Sequence, residues 1–367
     1  MNLREFLEKS IADMVAIPSL SGNEAAMADY VMAELRREGL PAERDDQDNV
    51  FCRVGTGTRR LHINAHTDTV PAVPGWATDP LVPVVKGDCL YGLGATDCKA
   101  GLAAMLWLAP RIRPSVEVVF SFTVCEEAEV PGRGNGARRA AARGGDWAIT
   151  AEPSCDAEGP RLSLGTQAHA LAEVVFRGKA SHSARPERGI NAITAAARFC
   201  AAVDETNRRY PEVEIRPGAI ARGSMAATLI SGGRRNNIIP DECRVTVSRR
   251  LAPGEDGGTL RGELERILAG EDASFTIRAR ENTALTDLNG ALFAAARGAM
   301  IAQEGRERYG FQRGRTDLTI FAGAGMDVLN LGPGFGGSLH CVDEFVNLPV
   351  AARCVTLLER IILALPG

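Results

Sequence analysis

Leu61-His62-Ile63-Asn64-Ala65-His66-Thr67-Asp68 is the stretch on which the fold turns. A short, nearly continuous apolar run that stops at His-Thr-Asp has the length and density of a strand buried on both faces. Three other runs share this build: Val116 to Val124, Trp147 to Ala151 and Asp327 to Leu331. Between them lie Ala-rich helical stretches, Ala100 to Leu108 and Gly136 to Arg143. The chain opens with Leu3, Phe6, Leu7, Ile11, Met14 and Val15 at helical spacing, and a second helical stretch runs from about Glu24 to Arg37. Strands alternating with helices predict an α/β domain with a mostly parallel sheet.

The rhythm changes between residues 168 and 281. A strand (Leu171 to Arg177), a helix (Ile190 to Asn207), two strands (Ala219 to Ile230, Cys243 to Leu251), a helix (Gly258 to Leu268) and a strand (Ala273 to Ala279) follow in turn. That order, β-α-β-β-α-β, is a complete ferredoxin-like motif. The expected organisation is a catalytic domain of residues 1–167 and 282–367, interrupted by an inserted domain of residues 168–281. A length of 367 residues, 45% hydrophobic and 24% charged, suits two such globular domains.

The net charge of −4, from 42 basic and 46 acidic residues, argues against a nucleic-acid surface and leaves small molecules as the expected partner. No run of about 18 apolar residues occurs and the N-terminus lacks the pattern of a signal peptide, so no membrane association and a cytoplasmic location are expected. Nine cysteines without a Cys-x-x-Cys pair read as free thiols.

Each of the four runs leads to a polar residue suited to chemistry. They are His66-Thr67-Asp68, Cys125-Glu126-Glu127, Glu152, and a Gly-Pro loop leading to His340. In a parallel sheet these carboxyl ends lie along one edge, where open α/β sheets place their sites. Asp97, in Gly92-Leu93-Gly94-Ala95-Thr96-Asp97, stands before the helix from Ala100, where it either caps that helix or joins the site. It occupies the place of the third Gly of a dinucleotide loop, and its charge would repel a pyrophosphate.

His66, Asp97, Glu127, Glu152 and His340 together form a nitrogen and oxygen donor set for divalent ions. Five donors suit two ions bridged by one carboxylate better than a single catalytic zinc with three protein ligands. Asp68, two residues after His66, is expected on the same face, with its carboxylate taking the second imidazole N–H. Glu126 should point away from Glu127 by strand alternation, as a general base beside the ions. Cys98, Cys125 and Cys341 adjoin expected ligands but should face away from them, and His62 and His169 read as structural residues in strands.

His66-Thr67-Asp68-Thr69-Val70-Pro71, Gly92-x-Gly94-x-x-Asp97-x-Lys99-x-Gly101, Glu126-Glu127, Ala151-Glu152-Pro153 and the late His340 resemble the dinuclear zinc aminoacylase and carboxypeptidase superfamily. The nearest branch is that of acetylornithine deacetylase and succinyl-diaminopimelate desuccinylase. The resemblance implies that Asp97 bridges two ions, zinc first and cobalt or manganese as alternatives. His66 and Glu152 would complete one position, and Glu127 and His340 the other. Glu126 would take a proton from the attacking water and pass it to the leaving amine.

His182, in Gly178-Lys179-Ala180-Ser181-His182-Ser183, would reach the neighbouring subunit's site in a homodimer formed through the inserted domain, and donate to the oxyanion. Asn237 and Arg250, the latter with Arg249 as the alternative register, resemble positions that grip a substrate carboxylate. Thr316 lies near the family's Gly-Thr-Asp-like segment. Gly334 lies in Gly332-Pro333-Gly334-Phe335-Gly336-Gly337, a loop that either binds a carboxylate through backbone N–H groups or simply turns the chain. The implied reaction is hydrolysis of an N-acyl amino acid, with a dipeptidase, a carboxypeptidase or a desuccinylase as alternatives. A metal-binding protein without catalysis is the rival class, and Glu126 argues against it. The segment Ala128 to Ala137 after the glutamate doublet is longer than the family pattern, which leaves the substrate open.

Overall fold

The computed structural model describes residues 1–128, 130–279, 282–335 and 339–367. The chain divides into two compact units. One comprises Met1–Gly165, Leu285–Phe311 and Thr316–Gly367, the other Thr166–Ala284 and Gln312–Arg315.

The first unit is built on a nine-stranded sheet. Its four central strands run parallel and contain the four apolar runs read from the sequence. Numbered along the chain, they are β1 (Arg60–His66), β2 (Glu117–Thr123), β3 (Trp147–Cys155) and β4 (Asp327–Phe335), in the spatial order β2-β1-β3-β4. Every pairing among them is parallel, whereas Val50–Val54 pairs antiparallel on β2 and Leu162–Thr166 antiparallel on β4.

Burial on both faces explains why these runs do not alternate: all of β3 is buried, and Phe120 and Phe122 of β2 are completely inaccessible. Removing either ring would cost about 3–5 kcal/mol. Helix Leu3–Val15 starts at a capping box in which Asn2 and Glu5 satisfy each other's backbone N–H. Its buried stripe of Phe6, Leu7, Ile11, Met14 and Val15 is the one read from spacing. Helix Ala100–Leu108 is buried almost all round, as its lack of polar residues requires.

The second unit holds a four-stranded antiparallel sheet in the order Ser224–Gly232, Glu242–Leu251, Ala168–Arg177, Ala273–Ala279. With helices Ala192–Arg208 and Gly257–Ile267 it follows the β-α-β-β-α-β order. Alternate residues of Ala168–Arg177 face the helices, and Val174 and Phe176 pack there with Phe199, Leu260 and Leu264.

Two details differ from expectation. The run Ala219 to Ile230 is two strands, broken at Gly223, because Ala219–Arg222 folds back on Glu212–Arg216 as a separate hairpin. The unit also begins at Thr166 and takes in Gln312–Arg315, whereas the sequence placed the boundaries at 167/168 and 281/282; Arg280 and Glu281 lie outside the described residues. Among the described residues no helix is long and apolar enough to cross a membrane. All nine cysteines are free thiols.

Candidate metal centre

Parallel pairing sends the ends of β1, β2 and β3 to one edge, and the expected donors meet there. His66, the last residue of β1, places Nε2 3.0 Å from Asp97 Oδ1 and 3.7 Å from Glu152 Oε1. The other oxygen of Asp97 lies 3.4 Å from His340 Nε2, which lies 2.9 Å from Glu127 Oε1. Two donor groups result, His66 with Asp97, Cys98 and Glu152, and Asp97 with Glu127 and His340, each with its ligand atoms within 4.8 Å of one another. Asp97 belongs to both.

The electrostatics of this cluster favour bound cations. Burial alone would lower the pKa of His66, but Glu152, Asp68 and Asp97 outweigh it and push the imidazole well above its ordinary value. Hydrogen bonds with Asp97 and Glu127 raise His340 to about 10. Burial, reinforced by the charges of Asp97 and Glu126 against the opposing pull of His66, drives the Glu152 carboxyl well up. The Asp97 carboxyl is held low against its burial by His340 and His66. Carboxylates outnumber the imidazoles here, and among the described residues no lysine or arginine is paired with Asp97, Glu127 or Glu152. Divalent ions would take the place of the protons that these shifts retain on the cluster, and a set of imidazole and carboxylate donors suits zinc or a chemically close ion.

A sequence profile of peptidase family M20/M25/M40 matches residues 62–364. The chain belongs to this family. Succinyl-diaminopimelate desuccinylase of Stenotrophomonas maltophilia (strain K279a) is 29% identical over 371 residues, covering 95% of this chain and 96% of the relative. The putative succinyl-diaminopimelate desuccinylase DapE of Mycobacterium tuberculosis is 30% identical over 359 residues, with the same coverage of 95% and 96%.

Two solved structures share the fold. The M20 metallo-carboxypeptidase Sso-CP2 of Sulfolobus solfataricus has a TM-score of 0.78 at 17% identity, covering 99% of each chain. The dinuclear metal-binding M20 peptidase YXEP of Bacillus subtilis has a TM-score of 0.74 at 17% identity, covering 98% of each. This chain is thus an M20 metallohydrolase, an enzyme that cleaves amide bonds.

Within this M20 site some details depart from the sequence reading. Asp97 caps no helix: its carboxylate faces the two histidines, and helix Ala100–Leu108 begins three residues later. His66 Nδ1 meets the backbone carbonyl of Asp68 at 2.9 Å, while the Asp68 carboxylate is farther, at 3.6 Å. That carboxylate instead accepts Ser21 Oγ–H (2.7 Å) and the backbone N–H groups of Glu126 (3.1 Å) and Glu127 (3.0 Å).

The doublet does not continue a strand either. β2 ends at Thr123, and Cys125 turns the chain with φ 57°, so alternation is not what separates Glu126 from Glu127. Cys98 shares the first donor group rather than facing away. Its thiol donates to the Ala151 carbonyl (3.2 Å), and burial together with Glu152 pushes its pKa well up, so it behaves as a neutral thiol.

The remaining candidates are placed as follows. Arg249 is fully buried in the second unit, held by Glu263 through two bonds of 3.0 Å and stacked on Tyr210 at 4.1 Å. Arg250 falls on the other face of that strand and is half-buried. His182 and Asn237 lie on exposed backbone of the same unit, where the Asn237 carbonyl accepts the Ser183 N–H at 2.9 Å.

In the first unit Thr316 is buried and its hydroxyl accepts the Leu318 N–H at 3.3 Å. Gly334 is part of β4, not of a loop; a Cβ there would come within 2.3 Å of the Thr96 carbonyl, which accounts for glycine by packing. Gly336 and Gly337 lie outside the described residues.

Three buried side chains escaped the sequence reading of roles. Glu344 accepts the backbone N–H groups of Gly94 (2.9 Å), Thr96 (2.9 Å) and Asp97 (3.0 Å), and so holds the bridging loop. Lys99 Nζ donates to the Leu93 carbonyl at 2.9 Å, and burial lowers its pKa to about 8. Asp317 accepts Asn64 Nδ2 (3.0 Å) and Asn135 Nδ2 (2.7 Å) beneath the strand ends. The only advance signal was their charge within apolar sequence, which says that a partner exists but not which one.

Proposed function

We propose that this chain hydrolyses the amide bond of an N-acyl amino acid. The observation that carries the reading is the pair of donor groups sharing Asp97, with Glu126 adjoining the donor Glu127 on one anchored turn. His66, Asp97 and Glu152 would hold one divalent ion and Asp97, Glu127 and His340 the second, with zinc as the first choice. Bound there, such ions polarise a carbonyl and acidify water. Glu126 takes a proton from the attacking water and returns it to the leaving amine. Asp68 keeps the doublet in place through its two backbone N–H groups.

His182 supplies an oxyanion donor to the partner subunit. Its Nδ1 accepts the Ala184 N–H at 3.1 Å, so the neutral ring carries its proton on Nε2, where it can donate. Asn237 and Arg250 of the inserted unit are the residues that the resemblance offers for the substrate carboxylate. The inserted unit would form the homodimer; its edge strand Ser224–Gly232 exposes Leu229 at 69% and Ile230 at 55%. Nine free thiols suit the cytoplasm.

The test is metal-loaded enzyme against acetylornithine, acetylcitrulline, acetyllysine and succinyl-diaminopimelate, with dipeptides as the competing class. The relatives named as desuccinylases make the succinyl compound the first to try. Glu126→Gln should abolish turnover with both ions retained, and His182→Ala should lower kcat strongly without metal loss. A fully active Glu126→Gln variant, or dipeptides preferred over every acyl-amino acid, would overturn the reading.

A further inference from the structure

Residues 124–127, which follow β2, lie outside the sheet, yet each of their backbone N–H groups is bonded. The N–H groups of Val124, Cys125, Glu126 and Glu127 end in succession on Asn49 Oδ1 (3.1 Å), Glu24 Oε1 (3.2 Å), Asp68 Oδ1 (3.1 Å) and Asp68 Oδ2 (3.0 Å). The turn passes through Cys125 at φ 57°, a left-handed conformation that costs a non-glycine residue roughly 1–2 kcal/mol and persists only where surrounding contacts hold it.

Glu24 is the acceptor at that residue. It is fully buried, its Oε1 also accepts the Gly22 N–H (2.8 Å) and the Cys125 thiol (3.4 Å), and it belongs to neither donor group. Its second oxygen lies 3.5 Å from Arg133 Nη1. Arg133 sits in the long segment after the doublet and also reaches the carbonyls of Gly22 (3.0 Å) and Gln47 and the carboxylate of Asp48 (3.3 Å). The segment whose length departs from the family pattern therefore provides the counterion for the carboxylate that holds the turn.

We infer that Glu24, paired with Arg133, is a positioning residue that fixes the Cys125 turn and thereby the direction of the Glu126 and Glu127 side chains. The inference rests on the proposed role of Glu126 in proton transfer. A misplacement of about 1 Å at a reacting group costs on the order of 10²-fold in rate, so the effect belongs in kcat rather than in KM.

Glu24→Ala, the equal-sized Glu24→Gln and Glu126→Gln are compared with the parent as metal-loaded enzymes. The readouts are kcat and KM on the best substrate of the acyl-amino-acid panel, metal content, urea midpoint, and hydrogen exchange of the amides of residues 124–127. For Glu24→Ala, kcat falls about 100-fold with KM within about threefold, and the Cys125 to Glu127 amides exchange at least about tenfold faster. Glu24→Gln, whose amide oxygen can still accept the Cys125 N–H, recovers a large part of both and remains informative if the alanine variant does not fold.

Unchanged exchange at residues 124–127, or a lowered urea midpoint with kcat preserved, would reduce Glu24 to a stability element and overturn the inference. An inactive Glu126→Gln beside a fully active Glu24→Ala overturns the inference alone. An active Glu126→Gln overturns the proton-transfer reading and the inference with it.

Discussion

Gly136 sets two physical effects against each other, and their magnitudes decide the outcome of Gly136→Ala. The residue stands at φ −63° and ψ −28° at the start of helix Ala137–Ala141, ordinary right-handed values that alanine adopts without strain. Backbone entropy alone therefore favours the variant by about 0.4–1 kcal/mol. Packing opposes it. A Cβ at this position lies 1.9 Å from Asn49 Oδ1 and 2.7 Å from the Val124 nitrogen, where ordinary contact begins at 3.4 Å.

Asn49 cannot yield freely, because it is fully buried, with Oδ1 accepting the Val124 N–H and Nδ2 donating to both oxygens of Asp45 at 3.1 and 2.9 Å. Overpacking costs about 1–3 kcal/mol, and a stranded Val124 N–H costs about 1–3 kcal/mol more. A net destabilisation of about 1–5 kcal/mol follows, read from urea denaturation. Val124 precedes Glu126 by two residues, so kcat should fall as well. Gly134→Ala, in the same segment and with no atom within 4 Å of its Cβ, is the control and should stay within about 0.5 kcal/mol of the parent. A Gly136→Ala variant as stable as the parent would refute the reasoning, since the backbone term would then have won.

Two further outcomes follow from the charge distribution. In metal-free protein His340 stays protonated up to about pH 10 and His66 is also pushed well up, whereas a coordinating imidazole must be neutral. Adding zinc to chelator-stripped protein at pH 8 should therefore release protons, the share of His340 fading above about pH 10; a pH-indicator titration without release would contradict the electrostatic account. In the second unit, Glu263→Ala removes the acceptor of two Arg249 bonds and of the Tyr210 hydroxyl (3.0 Å), leaving a buried guanidinium without its main partner. The expected loss is about 3–5 kcal/mol in urea denaturation, and a shift below about 1 kcal/mol would mean that Glu255 alone suffices.

The parallel core was legible because double burial writes itself as uninterrupted apolar sequence, and parallel pairing then brings His66, Glu152 and the end of β2, from which the chain turns to Glu127, to one edge. Asp97 and His340 were gathered with them from their places before a helix and after the last run, and the resemblance added only how the five divide between two ions. What was illegible depends on backbone geometry that side-chain identity does not encode. Gly332 and Gly334 read as loop residues, yet they admit the backbones of β3 and the Asp97 loop, a Cβ at Gly332 meeting the Ala151 carbonyl at 2.0 Å. The hairpin Glu212–Arg216 with Ala219–Arg222 was missed because Glu212–Arg216 buries none of its side chains fully, while the buried Ala219 and Ala221 of its partner read in sequence as one run with Ser224–Gly232. Asp68 was assigned to the imidazole from its spacing, which fixes the face of a strand but not which of several nearby donors a carboxylate serves.

The same limit explains why Glu24, Asn49 and Glu344 stayed silent. A strand residue such as His66 is positioned by its ladder, whose hydrophobic code is local, and the last rung here is the Thr67 N–H to the Thr123 carbonyl at 2.7 Å. Past that rung Glu126 and Glu127 have no ladder, and Asp97 lies in a loop that never had one. Their backbones must still be held to a fraction of an ångström if the side chains are to act in a fixed geometry. Buried side-chain oxygens from distant segments take over the task of the missing strand, accepting the N–H groups of residues 124–127 on one side and of Gly94, Thr96 and Asp97 on the other. Each such acceptor is a buried polar group that a core built for stability alone would replace by an apolar one, and its presence here is explained by the precision that the donors it supports require.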